Sequence, residues 1–193
     1  MKSINNYISE KLFIRKSIKS IRPKTKEELH SIVLDRIQQD GNKCNLNDID
    51  VSLIKDMSYL FAKLHNNPNA DILHKFNGDI SEWDVSNVED MTCLFCGSKF
   101  NGDISGLDVS NVKIMDDMFA KSNFNGGLSD WDVSNVESAY AMFYGCETFN
   151  QDLSNLKFTG IKDPSGRAFM FKKCPLQHLL NKQPQFNIKN VLR

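Results

Sequence analysis

The stretch FNGDISEWDVSNVEDMTCLF, residues 76–95, recurs as FNGDISGLDVSNVKIMDDMF at residues 100–119 and as FNGGLSDWDVSNVESAYAMF at residues 124–143. The period is 24 residues, and a further copy, FNQDLSNL, begins at Phe149, 25 residues after Phe124. A fixed period in the twenties predicts a solenoid, because each repeat forms one coil that can bury its apolar face only against its neighbours.

Within the first copy, Phe76, Ile80, Trp83, Val85, Val88, Met91, Leu94 and Phe95 are the apolar positions. Trp83 and Val85 are two apart, the spacing that sends both side chains to one face of a strand. Val88, Met91 and Phe95 are three and four apart, the spacing of one helical face. The pattern therefore predicts a short strand turning into a short helix, with Ser86 as helix N-cap and Glu89 completing a capping box. Asn77-Gly78, Asn101-Gly102 and Asn125-Gly126 mark a turn, where glycine takes positive φ without penalty. Stacking would align Asn77, Asn101, Asn125 and Asn150 in a column that satisfies buried backbone groups from coil to coil.

The repeated W-D-V-S-N-V-x-x-M followed by M-F or L-F resembles the BspA-like leucine-rich-repeat proteins, which occur on bacterial surfaces and in some parasite and bacteriophage genomes. The resemblance covers about residues 47–174. It implies a leucine-rich-repeat-like solenoid; with the strand-to-helix pattern above and helical spacing near the N-terminus, the expected fold class is α/β, a solenoid of short parallel strands and short helices with an N-terminal helical cap. The resemblance also implies a protein that binds other macromolecules; it does not imply a catalytic site.

Three segments follow from the pattern. Residues 1–46 read as the helical cap. Residues 47–174 read as about five coils, the first and last degenerate, and residues 175–193 as a C-terminal cap and tail. In the cap, Thr25 and Glu28 form a capping box, Leu29, Ile32, Val33 and Ile37 follow at helical spacing, and Gly41 stands where a glycine terminator belongs. Ile49, Val51, Ile54, Met57 and Phe61 match the first full copy at an offset of 34, so ten extra residues fall within a polar loop at residues 63–75. Near the other end, Pro164 and Gly166 interrupt the last copy, Pro175 starts a short helix, and residues 183–193 form a basic, loosely held tail.

Formal net charge is +0, but its distribution is uneven. Residues 1–46 hold ten Lys/Arg and five Asp/Glu, residues 47–160 seven Lys and eighteen acids, and residues 161–193 seven Lys/Arg and one acid. An acidic repeat region thus lies between basic ends. No run approaches the roughly twenty apolar residues of a membrane span. Residues 1–20 show neither an apolar core nor a small-residue cleavage site, which predicts no secretory signal and points to the cytoplasm or a phage particle rather than the bacterial surface.

Five cysteines stand at positions 44, 93, 96, 146 and 174. Cys146 and Cys174 align with Ser98 and Ser122 in a column of small side chains. Cys93 and Cys96 form a C-x-x-C without the second such pair that a zinc site would need. These residues read as reduced structural thiols, and no metal or cofactor is expected. His30, His65, His74 and His178 are scattered with no nucleophile beside them, so no catalytic residue is assigned.

The expected function is a non-enzymatic protein–protein interaction module, with a structural component of a phage particle or other assembly as the alternative. Nucleic-acid binding by the basic run of residues 11–26 is a third reading. Recognition falls on positions that vary between repeats and on an outward aspartate column: Glu82, Asp84, Asp108, Asp116, Asp130, Asp132 and Tyr140. Asp84 lies between inward-facing Trp83 and Val85, and Asp108 and Asp132 repeat it, with Asp50 extending the line. Like charges stacked about 4.8 Å apart repel by roughly 1 kcal/mol even in water. Either local hydrogen bonds offset that repulsion, or a basic partner surface or cation does.

Overall fold

A computed structural model describes residues 21–64 and 68–186. The first twenty residues of the expected helical cap, with most of the basic run, and the last seven residues of the tail lie outside the described residues.

The first helix, α1 (Lys26–Asp40), follows its sequence signals. Leu29, Val33 and Ile37 are buried, and the Thr25 side chain accepts from the Glu28 N–H at 3.2 Å. The capping box is displaced by one residue, because the Glu28 carboxylate accepts from the Lys24 N–H at 2.7 Å rather than from that of Thr25. Gly41, at φ 85°, ends the helix with its N–H on the Ile37 carbonyl. The loop that carries the extra residues contains a second helix, α2 (Ala70–Leu73), which buries Ala70 and Leu73 and packs against α1.

Among the described residues from 74 to 156 there is no regular helix or strand. Successive repeats stack instead through a ribbon of turns at residues 57–63, 91–97, 115–121, 139–145 and 167–173. In the second of these, the N–H groups of Met91, Cys93, Phe95 and Gly97 donate to the carbonyls of Ile114, Asp116, Met118 and Ala120 of the next coil, at 2.8–2.9 Å. The alternate N–H groups of Leu94, Cys96 and Ser98 close turns within the coil, onto Met91, Cys93 and Phe95. With the Thr92 N–H on the Asp90 carboxylate, every donor from Met91 to Ser98 is used, half between coils and half within one.

This ribbon replaces the helix expected after Val88. Met91, Leu94, Phe95 and Ser98 are buried, a three-and-four spacing, but consecutive turns generate it. Cys93 at φ 52° and Gly97 at φ 66° interrupt any α-helix. Ser86 does not cap a helix; its N–H and hydroxyl bond Asp84. Nor is there a strand at Trp83–Val85. Coil-to-coil bridges run through Asp56, Asp90, Ile114 and Ser138 instead.

Two columns of phenylalanine rings fill the core. Phe61, Phe95, Phe119, Phe143 and Phe171 follow one another at 5.4–5.7 Å between centroids. Phe76, Phe100, Phe124 and Phe149 do so at 5.9–6.3 Å. The columns interlock, with Phe95–Phe100 and Phe119–Phe124 each 4.3 Å apart. Trp83 and Trp131 lie beside them, and their indole N–H groups donate to Leu46 and Ile104 carbonyls of earlier coils.

Asparagines tie the opposite side of each coil. The side-chain oxygens of Asn77, Asn101 and Asn125 accept from the N–H groups of Asn101, Asn125 and Asn150 at 2.7–2.9 Å. A second series, which the sequence reading did not single out, runs from the amides of Asn87, Asn111 and Asn135 to the carbonyls of Ser52, Ser86 and Ser110. The glycine after each Asn of the first series is not required by φ, since Gly78, Gly102 and Gly126 are not among the positive-φ residues. Space requires it. A Cβ on Gly78 would lie 2.0 Å from the Cys44 carbonyl oxygen, and one on Gly102 would lie 2.9 Å from the Phe100 ring.

At the far end, β1 (Lys157–Phe158) pairs in parallel with β2 (Gln185–Phe186), and the Phe158 and Phe186 rings stack at 5.7 Å. Short 3₁₀ turns at Pro164–Arg167, Pro175–His178 and Leu180–Lys182 connect them. The described part of the tail is therefore docked, not loose.

The contrast between two glycines tests the packing argument. Gly78→Ala is expected to cost at least about 1–3 kcal/mol through steric overlap. Gly106→Ala, whose added methyl meets nothing within 4 Å, is expected to be neutral or stabilising by up to about 1 kcal/mol. Denaturant unfolding of both variants measures this, and equal losses would refute the role of close approach.

Candidate interaction surface

The aspartates that recur in each coil are turn formers. Asp50, Asp84, Asp108 and Asp132 each accept, through one carboxylate oxygen, the N–H of the serine two residues on, at 3.0–3.1 Å. Asp79, Asp103 and Asp152 do the same with Ser81, Ser105 and Ser154. Asp56 and Asp90 repeat the device with Ser58 and Thr92. Asp-x-Ser is thus the local signal: a short carboxylate reaches its own backbone two residues ahead and fixes the bend.

Hydrogen bonds from Ser110 and Ser134, side chain foremost, hold the Asp108 and Asp132 carboxyls below the ordinary aspartate range. The Ser52 side chain does likewise for Asp50, with Arg22 adding to it. The local account of the column thus has a geometric basis, yet the carboxylates of Asp84, Asp108 and Asp132 remain exposed.

The column's neutralisation differs along its length. Asp50 pairs with Arg22 at 3.0 Å, and the same guanidinium donates to Ser52. Among the described residues, no ion pair reaches Asp84, Asp108 or Asp132. Nearby acids of the first coil are also engaged by the N-terminal segment. Lys26 pairs with Asp56 at 3.1 Å and bonds Ser58, while Arg36 bridges Asp40 and Asp48 at 3.1 and 2.7 Å. Sequence reading missed these three basic residues as partners of the coils, since distant charges are matched only by the stacking. Arg22 and Lys26, both members of the basic run of residues 11–26, are here paired with Asp50 and Asp56.

Of the other expected site residues, Glu82 and Asp130 are exposed, at corresponding places in their coils. Glu82 and Asp84 border an open groove of about 890 Å³ whose wall includes Arg36, Asp48 and Asp50. Asp116 and Tyr140 belong elsewhere, on the turn ribbon. The half-buried Asp116 carboxylate accepts from the Tyr140 N–H and the Ser138 hydroxyl. Tyr140 meets the exposed Phe169 edge-on at 5.7 Å. No hydrogen bond or ion pair among the described residues joins this pair to the aspartate column. The structure therefore splits the expected site in two. Between coils, Glu89 accepts from both Lys55 and Lys113, at 3.1 and 2.6 Å.

Substitution at Asp108 separates turn formation from charge. Asp108→Asn keeps an acceptor for the Ser110 N–H and is expected to change stability by less than about 0.5 kcal/mol. Asp108→Ala removes it and is expected to lose about 0.5–1.5 kcal/mol at neutral pH. Because the folded-state pKa of Asp108 is depressed, its contribution is present above the unfolded value of about 4 and is lost as pH falls through the folded one. The gap between wild type and Asp108→Ala, read from thermal unfolding, should therefore shrink on acidification below about pH 4; a gap that widens in acid would contradict this origin.

Among the described residues no helix is long and apolar enough to cross a membrane. No curated protein and no solved structure matches this sequence. Residues 67–183, more than half of the chain and most of its repeats, match the family described as "Mycoplasma protein of unknown function, DUF285". The chain belongs to the DUF285 family.

Proposed function

We propose that this protein is a non-enzymatic protein-interaction module that presents the exposed carboxylates of Asp84, Asp108 and Asp132 to a partner with a basic surface. The observation that carries this reading is the contrast within one column: the chain's own Arg22 occupies Asp50, whereas among the described residues the three following members hold only bonds from their own turns. A guanidinium fits such a site because it donates through a planar fork to carboxylate and hydroxyl together. The Asp-x-Ser turns pre-orient the carboxylates, so little side-chain freedom remains to be lost on binding.

The stack reads as a BspA-like, leucine-rich-repeat-like solenoid. One coil per repeat, a shared core and inter-coil bonds between equivalent positions support that reading. Such an architecture lends itself to recognition because its backbone is constant while outward residues vary. Each exposed ion pair contributes no more than about 1 kcal/mol, so affinity would come from several carboxylates acting together.

Affinity capture with wild type and with the triple variant Asp84→Asn, Asp108→Asn, Asp132→Asn tests the proposal at low and high salt. A partner retained by wild type is expected to be released by salt and absent from the variant, while the melting temperature of the variant holds or rises. Partners retained equally by both proteins would overturn the assignment of this surface.

A further inference from the structure

Cys93 and Cys96 are the two cysteines that the coil itself does not use. Cys44, Cys146 and Cys174 are buried. The Cys146 thiol contacts Ser122 and donates to the Phe119 carbonyl, and burial pushes its pKa up to about 11. Cys93 and Cys96, by contrast, are half-buried on the turn ribbon. Equivalent ribbon positions hold Tyr59 and Ala62, Asp117 and Ala120, and Ala141 and Tyr144. Tyr59, Asp117 and Ala141 share the positive φ of Cys93, between 52° and 65°. Neither the packing nor the backbone conformation at these places therefore demands a thiol.

The turn brings the pair together. The Cys96 N–H donates to the Cys93 carbonyl at 3.1 Å, and the first and fourth Cα atoms of such a turn lie within about 7 Å. A disulfide spans Cα atoms about 4.4–6.8 Å apart. The pairing of the two thiols lowers the Cys96 pKa and raises that of Cys93. Lys121 of the next coil also favours the Cys96 thiolate, while burial and Asp117 oppose it. Tyr59 of the preceding coil and Asp117 flank the pair. Among the described residues, no group of three His, Cys, Asp or Glu side chains is arranged to hold a metal ion.

We propose that Cys93 and Cys96 form a reversible dithiol–disulfide site, with Cys96 as the attacking sulfur, Cys93 as the resolving one, and a low-molecular-weight disulfide as co-reactant. In the first step the Cys96 thiolate attacks one sulfur of R–S–S–R. A protein–S–S–R bond forms, the R–S–S–R bond breaks, and R–S⁻ leaves with the electron pair and takes up a proton. In the second step Cys93 loses its thiol proton to solvent and its sulfur attacks that of Cys96, expelling the second R–S⁻, which is protonated in turn. Two protein thiols are oxidised to one disulfide, and one small disulfide is reduced to two thiols. A thiol poised toward its thiolate and reachable from solvent is the reactive kind, whereas an apolar buried thiol is inert.

The test is incubation of the native protein with oxidised glutathione, acid quenching, alkylation and peptide mapping by mass spectrometry. The expected product is a Cys93–Cys96 bridge lacking two hydrogens, with Cys44, Cys146 and Cys174 alkylated only after denaturation. Cys93→Ser should leave Cys96 trapped as a glutathione mixed disulfide, and Cys96→Ser should acquire an adduct on Cys93 at least about tenfold more slowly. A wild-type map with only glutathione adducts, or only disulfides between two copies, would overturn the pair. Equal trapping rates in the two variants would overturn the assigned roles. The wild-type map contains no substitution, so the pair is judged even where a variant fails to fold.

Discussion

Everything in this stack depends on how the turn ribbon disposes of its backbone N–H groups. A β-ladder sends its hydrogen bonds sideways and an α-helix keeps them within the segment. The ribbon alternates: Met91, Cys93, Phe95 and Gly97 donate to the next coil, while Leu94, Cys96 and Ser98 close turns in their own. An unpaired buried amide would forfeit about 1–3 kcal/mol, so the alternation binds each coil to its neighbour. It also requires residues at positive φ, among them Tyr59, Cys93, Asp117, Ala141 and Phe169, at roughly 1 kcal/mol for each side chain that is not glycine. The inter-coil bonds and the rings beneath them offset that strain.

The aromatic columns explain why the repeat keeps Phe at two places. Rings stacked with 4.2–4.6 Å between the two columns leave no room beside the following backbone, which is why glycine follows Asn at residues 78, 102 and 126. Full burial of such a side chain contributes about 1.5–3 kcal/mol, and the contribution is realised only when a neighbouring coil supplies the facing ring. Aromatic packing, glycine and asparagine ladder are thus one solution to a close approach of coils.

The acidic surface has the same economy. One carboxylate oxygen of each column aspartate organises its own turn, so the like charges that stacking lines up are accommodated by N–H donors. Scaffold and recognition are therefore not competing explanations for these residues: the turn bond fixes the carboxylate, and its exposure leaves it available to a cation. Arg22 on Asp50 and Lys26 on Asp56 are intramolecular examples of such a contact.

The sequence by itself determined the coil register, the buried positions, the α1 helix with its caps and the asparagine column, because repetition at 24 residues forces equivalent side chains into contact. It also placed Asp84, Asp108 and Asp132 outward, since alternation around Trp83 and Val85 holds whether or not a strand forms. The local conformation was misread for a physical reason: a run of turns buries residues three and four apart just as a helix does, and the two are told apart by the positive φ of Cys93 and Gly97 and by the inter-coil hydrogen bonds. Tertiary structure alone decided which acids acquire a cation and separated Asp116 and Tyr140 from the aspartate column. It also brought Lys121 of one coil to Cys96 of another. Apart from the pairs that Arg36 makes with Asp40 and Asp48, those outcomes depend on contacts between residues 24 or more apart in sequence, where a periodic pattern specifies alignment but not which charges meet.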